Sequence, residues 1–252
     1  MPNDINEPVI RMHNLRKAFG QQVVLQDVSL NVPQGQTLMV LGRSGMGKSV
    51  LLKILIGLQK PDAGTIEIKD QEVTALPLKE LNEVRKKMGF LFQHAALYDS
   101  LTVEENVAFP LRRHTKMSQQ ERQERVRSLL ARVGMEDAMK KMPANISGGM
   151  KKRVGLARAL ALDPEIMLLD EPNAGLDPIT AAEIDELIRD LQRERGITSV
   201  VVTHDMNSVR TSADRVALLN KGRIVLEGTP DDLQQSDDPF VVRFVQGKGE
   251  EN

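Results

Sequence analysis

The 252-residue chain has no cysteine and no tryptophan, a single tyrosine and six phenylalanines. Without cysteine it can form neither a disulfide nor a thiolate metal site, which is compatible with a cytosolic setting. An excess of charge of either sign is also missing. Its 34 Lys and Arg against 35 Asp and Glu leave a formal net charge of −1, so there is no electrostatic case for nucleic acid as a partner. No apolar run approaches the roughly 20 residues that span a bilayer. The first residues, MPNDINEPVIRMHN, lack the charged-then-apolar order of a secretion signal. Any service to a membrane is therefore expected from its side and through another chain. Internal repeats and low-complexity linkers are absent as well.

What is present suffices for one large α/β domain: 40% of the residues are hydrophobic. VIRMHNL and VVLQDVSLNV read as strands near the start, and TLMVL (37–41) as a buried strand leading into the apolar helix VLLKILIGL (50–58). TIEIKD (65–70) and MGFLF (88–92) are further strands. Residues 118–133 space Val126, Leu129, Leu130 and Val133 as one helix face. EIMLLD (165–170) and TSVVVT (198–203) are continuous apolar runs of the kind found in buried parallel strands, with a helix over 179–195 between them. RVALLNKGRIVLEG reads as a hairpin turning near Asn220–Lys221–Gly222. The expectation is a parallel α/β core, antiparallel strands at both ends of the chain, and a mostly helical insertion over about 95–160.

Five stretches carry chemistry. Gly42-Arg43-Ser44-Gly45-Met46-Gly47-Lys48-Ser49 follows a predicted strand and opens a predicted helix, the context of a phosphate-binding loop. Its glycines let backbone N–H groups converge on phosphate oxygens, Lys48 reaches the outer phosphates, and Ser49 offers a hydroxyl to Mg²⁺. IMLLDEP (166–172) ends a strand in two carboxylates: Asp170 suits a Mg²⁺ shell, and Glu171 can polarise a water. His204 and Gln93 close the strands TSVVVT and MGFLF, at the sheet edge where ligands bind in open α/β folds. His204 is placed for a γ-phosphate, Gln93 for Mg²⁺ or the lytic water. Read alone, both residues are ordinary surface. Finally, NISGGMKKRVGLARAL (145–160) sets two glycines and three cations at a helix start, against the macrodipole. Ser147, Gly148 and Gly149 make a second anion site there. A bound polyphosphate would offset the cost of the nearby cations. The loop at 42–49 is already a complete cradle, so the second site is redundant within one chain and useful if it closes on nucleotide held by another copy. This predicts a head-to-tail homodimer with two ATP molecules between the chains.

Together these residues resemble the ATP-binding-cassette family. The motif order is that family's: phosphate loop 42–49, Gln93, signature 146–150, carboxylates 166–171, D-loop 174–177 and switch histidine His204. The resemblance implies a P-loop NTPase fold with a RecA-like core, an antiparallel β subdomain and a helical subdomain at about 95–160. The resemblance covers roughly residues 8–230; the expected domain runs over 8–245, with a polar tail over 246–252. It also implies that ATP and Mg²⁺ are the ligands, that Phe19 stacks on adenine (its other reading is a core phenylalanine), and that Asp177 communicates between sites across the dimer. The chain departs from the common LSGGQ with Ile146 and Met150, and from the common serine–alanine D-loop with Asn173-Ala174-Gly175.

SGGMKKRVGLARAL, FQHAALYDSLTVEENVAFPLRRHT (92–115), DEPNAGLDPIT and the ending DPFVVRFVQG are similar to the cassette ATPases of Mce/Mla-type lipid transporters. That likeness implies phospholipid movement between the inner and outer membranes of a bacterium. It implies a peripheral place at the cytoplasmic face of the inner membrane, a separate integral permease, an Mce-type lipid-binding protein and a STAS-type accessory protein. An ATPase serving a polar-solute importer or an exporter remains the alternative. A GTPase is disfavoured because Asn220-Lys221-Gly222-Arg223 lacks the base-reading aspartate. A chromosome-structuring ATPase is disfavoured because no heptad arm separates the phosphate loop from the carboxylates.

Overall fold

The computed structural model describes residues 7–248. The chain opens with a long hairpin of β1 (Pro8–Phe19) and β2 (Gln22–Pro33), then enters β3 (Thr37–Leu41) and α1 (Lys48–Leu55). β4 (Ala63–Ile68), the short β5 (Gln71–Glu72), α2 (Leu78–Lys86) and β6 (Met88–Leu91) follow. Three helices come next: α3 (Val103–His114), α4 (Gln119–Arg132) and α5 (Gly148–Ala159). The last third runs β7 (Ile166–Asp170), α6 (Pro178–Arg195), β8 (Thr198–Thr203), α7 (Met206–Ser212), β9 (Arg215–Asn220), β10 (Arg223–Gly228), α8 (Pro230–Gln234) and α9 (Pro239–Val245).

Two sheets form. One is six-stranded in the order β10-β9-β3-β8-β7-β6, parallel except for the terminal β9–β10 hairpin. The other is four-stranded and antiparallel, β2-β1-β4-β5. Successive side chains of a strand point to opposite faces, and both faces of the parallel sheet are covered. Leu38, Val40, Leu168, Val200 and Val202 join a core shared with the antiparallel sheet and α1. Their neighbours Met39, Leu41, Leu169 and Val201 join a second core with α3, α4, α5 and α6. This double burial is why these strands read as unbroken apolar runs.

The expected elements recur with shifted ends. α1 begins at Lys48 rather than 50 and stops at Leu55, because Gly57 adopts a left-handed φ of 71° beyond its end. Phe92 falls outside β6. α4 is opened by Ser118, whose hydroxyl accepts from Glu121 N while Glu121 accepts from Ser118 N, a reciprocal cap. The β9–β10 turn is made by Lys221 (φ 46°) and Gly222 (φ 79°), the paired left-handed conformation of a tight hairpin. Residues 95–160 hold α3, α4, α5 and two short 3-10 turns, as expected of a helical stretch. The polar tail is described as far as Lys248; residues 249–252 lie outside the described residues.

Candidate nucleotide site

The carboxyl ends of β3, β6, β7 and β8 lie along one edge because these strands run parallel. The loop after β3 is Gly42–Gly47. Gly42 has φ 158°, and a Cβ there would sit 2.6 Å from Leu219 O; Gly47 has φ 98°, and a Cβ would sit 2.8 Å from Val24 Cγ1. These two positions exclude a side chain on both conformation and space. Phe19, Val24, Ser44, Gly45, Gly47, Lys48, Ser49, Val50, Gln93 and Glu171 line one cleft of about 300 Å³. Phe19 is therefore not a core residue: it is 44% exposed at the cleft, with Lys17 Nζ 5.5 Å from its ring centroid.

Inside the cleft the polar groups interlock. Lys48 is buried, and its Nζ donates to Gly42 O at 2.7 Å and Arg43 O at 3.1 Å, with Glu171 Oε1 3.3 Å away. Ser49 Oγ donates to Asp170 Oδ1 at 2.8 Å. Burial raises the Asp170 pKa, opposed by the Ser49 hydrogen bond. Glu171 Oε2 lies 2.9 Å from His204 Nδ1. Ser49 and Asp170 offer hard oxygen donors in contact with each other. That suits Mg²⁺, which takes one or two protein oxygens and completes its shell with water and phosphate. Among the described residues no cluster of three acidic, histidine or cysteine side chains could hold a metal by itself, so phosphate oxygens would have to finish such a shell. Glu171 has φ 46°, uncommon for a residue with a side chain. Strain of this kind persists only where the surroundings impose it.

The remaining expected residues are dispersed. Met46 and Arg43 are bonded across the loop, Met46 N to Arg43 O at 3.3 Å, and Arg43 Nη2 donates to Lys248 O at 3.1 Å. Ser147 caps α5, accepting from Met150 N at 3.2 Å. A Cβ on Gly148 would meet nothing within 4 Å, whereas one on Gly149 would sit 2.6 Å from Thr180 Cγ2. Gly149 thus serves the packing of α5 on α6, and Gly148 keeps the helix start open. Asp177 caps α6, accepting from Ile179 N and Thr180 N, each at 3.1 Å, and from Thr180 Oγ1 at 2.7 Å. These bonds, the Thr180 hydroxyl first, lower its pKa.

The cations of the signature helix need a different account from the one expected. Lys152 and Arg153 are held by their own chain rather than waiting for phosphate. Lys152 Nζ donates to Glu171 O at 2.7 Å, and Arg153 donates to Val133 O and pairs with Glu183. Lys152 was missed as a site residue, although its spacing from Gly149 and Leu156 puts it on the buried helix face. Also missed was a buried trio in which Asn173 Nδ2 donates to Asp185 Oδ1 at 2.8 Å and to Ser208 Oγ at 2.9 Å. It ties the D-loop to α6 and to α7, the helix that follows His204.

The sequence pattern of the ABC transporter family matches residues 25–174. The chain is 44% identical over 239 residues to the probable ribonucleotide transport ATP-binding protein mkl of Mycobacterium tuberculosis strain H37Rv, covering 95% of this chain and 67% of that protein. It is 44% identical over 223 residues to the methionine import ATP-binding protein MetN of Rhizobium johnstonii, covering 88% of this chain and 61% of that one. The dimeric structure of the bacterial ABC transporter cassette MJ0796 superimposes with a TM-score of 0.83 at 36% identity, over 88% of this chain and 98% of that one. A post-hydrolysis dimer of the same cassette, bound to ADP and Pi, gives a TM-score of 0.82. Among the described residues no helix is long and apolar enough to cross a membrane. The chain belongs to the ABC transporter family, as an ATP-binding, ATP-hydrolysing cassette.

Proposed function

We propose that this cassette powers phospholipid movement between the inner and outer membranes of a bacterium, docked on a separate permease at the cytoplasmic face of the inner membrane. An Mce-type lipid-binding protein and a STAS-type accessory protein complete the complex. The observation that carries this reading is the signature helix itself: Met150 followed by Lys151, Lys152 and Arg153, together with the 92–115 segment. A second reading, import of a polar solute, is favoured by the names of the relatives, one for ribonucleotide and one for methionine transport.

The chemistry is common to both readings. Two chains pair head to tail, each phosphate loop facing the partner's signature. Lys48 leaves its loop carbonyls for the outer phosphates of ATP. Ser49, Asp170 and Gln93 are the residues that would hold Mg²⁺, which when bound would offset charge developing on phosphate oxygens. Phe19 stacks on the base. Glu171 accepts a proton from the attacking water, and His204 donates Nδ1–H to that carboxylate; with both ring nitrogens protonated, its Nε2–H is left to donate to the γ-phosphate. Loss of the γ-phosphate removes the bridge between the chains, and the dimer reopens.

The test is a pull-down of the tagged protein from detergent-solubilised native membranes, with proteins and lipids identified by mass spectrometry. Co-purification of a permease, an Mce-type protein and enriched phospholipid is the expected result. A permease arriving with a soluble solute-binding protein and no enriched lipid would replace this reading with solute import.

A further inference from the structure

Lys152 is 4% exposed. A buried ammonium is costly unless it is paired. Its hydrogen bond is to the main-chain oxygen of Glu171, and the Asp170 and Glu171 carboxylates attract it. The Glu171 backbone is thereby gripped from two sides: its N–H donates to Val202 O of β8 at 2.9 Å, and its C=O accepts from Lys152 of α5. Between these anchors sits the residue with φ 46°.

The same helix reaches the segment after Gln93. Arg158 donates to Ala95 O at 2.6 Å and Ala96 O at 2.7 Å, and both alanines have left-handed φ (58° and 48°). Gly155 permits this closeness, since a Cβ there would lie 2.8 Å from Leu91 Cδ1 and 3.1 Å from Ala95 Cβ. At a rise of about 1.5 Å per residue, Ser147, Lys152 and Arg158 are spaced about 8 and 9 Å along one rod. A rod so short moves as a unit.

We propose that Lys152 is a positioning residue: it holds the Glu171 main chain in its left-handed conformation, so that the carboxylate of one chain follows the position of that chain's own signature helix. The inference rests on the sandwich reading above. In that reading Ser147 of this chain serves the partner's nucleotide, so Lys152 links occupancy of one site to the geometry of the other. It explains why a cation stands in the first turns of a helix, where the macrodipole opposes it.

The test uses the full chain. Mg·ATP affinity is measured with a fluorescent ATP analogue and turnover by phosphate release, for wild type, Lys152→Met, Lys152→Gln and Lys152→Arg. Lys152→Met is expected to bind within two-fold of wild type and to turn over at least ten-fold more slowly. Lys152→Arg, which keeps a donor and charge, is expected to recover at least a third of the rate. In a Glu171→Gln background, Lys152→Met should still form the ATP-dependent dimer. Unchanged turnover in Lys152→Met overturns the proposal, and so does an equal loss of affinity and turnover or loss of that dimer. Should Lys152→Met not fold, Lys152→Gln is judged by the same criteria, with a loss between those of the Arg and Met variants expected. The sandwich reading is tested apart, by the dependence of wild-type turnover per chain on protein concentration. Independence removes that reading, and with it the link between sites, whatever the Lys152 variants do.

Discussion

Glu171 is set between two nitrogen groups, Lys48 Nζ at 3.3 Å from its Oε1 and His204 Nδ1 at 2.9 Å from its Oε2. Its position at the end of β7 is visible in the sequence as a carboxylate ending an apolar run. Its left-handed φ and its Lys152 bond are not, because both come from strands and helices distant in the chain. Glu171→Gln keeps the size and loses the carboxylate to which the proposal gives the base's role. It should retain ATP binding, hydrolyse it about 10²–10⁴-fold more slowly, and accumulate a closed dimer on gel filtration with ATP. Near-normal turnover would remove Glu171 from its role. Burial lowers the Lys152 pKa from 10.5 to about 8, against the pull of the neighbouring carboxylates. Between those values the unfolded chain holds a proton that the folded chain has released, so this group raises stability as pH increases from about 8 to 10.5. Denaturant titrations of wild type and Lys152→Met at pH 7.5 and pH 10 should show wild type gaining on the variant at the higher pH. A constant difference between the two would show that Lys152 is not desolvated.

At the scale of elements, α5 does most to join the parts of the site. Its face of Gly149, Lys152, Gly155 and Leu156 is buried, and two of these are glycines because Thr180, Leu91 and Ala95 come too close for a side chain. Gly155→Val would have to displace Ala95 and the segment after Gln93. It should cost about 1–3 kcal/mol in denaturant titrations and lower ATPase turnover at the same time. Stability lost with turnover intact would uncouple α5 from that segment. The long strands and α4, α5 and α6 were legible because their apolar period or their capping residues are local signals. α2, α7, α8 and α9 were not: each has nine residues or fewer and lacks the phosphate-loop context that marked the equally short α1, and α2 buries no side chain.

At the scale of the molecule, the parallel sheet brings residues 42–49, 93, 170–171 and 204 to one edge, while Ser147 stands at the head of α5, a cap with its neighbour Gly148 open. That separation is the physical ground for expecting a second chain. Turnover per chain should rise with protein concentration, and Ser147→Arg should abolish most of it while leaving Mg·ATP affinity intact. Unchanged ATPase in Ser147→Arg would mean that α5 does not meet the partner's phosphates.

The sequence by itself determined the phosphate loop, the terminal carboxylates and their order, because each is a short local pattern at the end of an apolar strand; His204 alone reads as surface and stands out only in their company. It also determined the double-faced burial of the sheet, since unbroken apolar runs cannot be half-solvated. Only the tertiary structure decided where the signature cations go, that Phe19 lies at the cleft, and that Asn173 bonds Asp185 and Ser208. Those outcomes depend on which distant backbone oxygens and carboxylates the folded sheet and helices bring within hydrogen-bond reach, and no spacing along the chain encodes that distance.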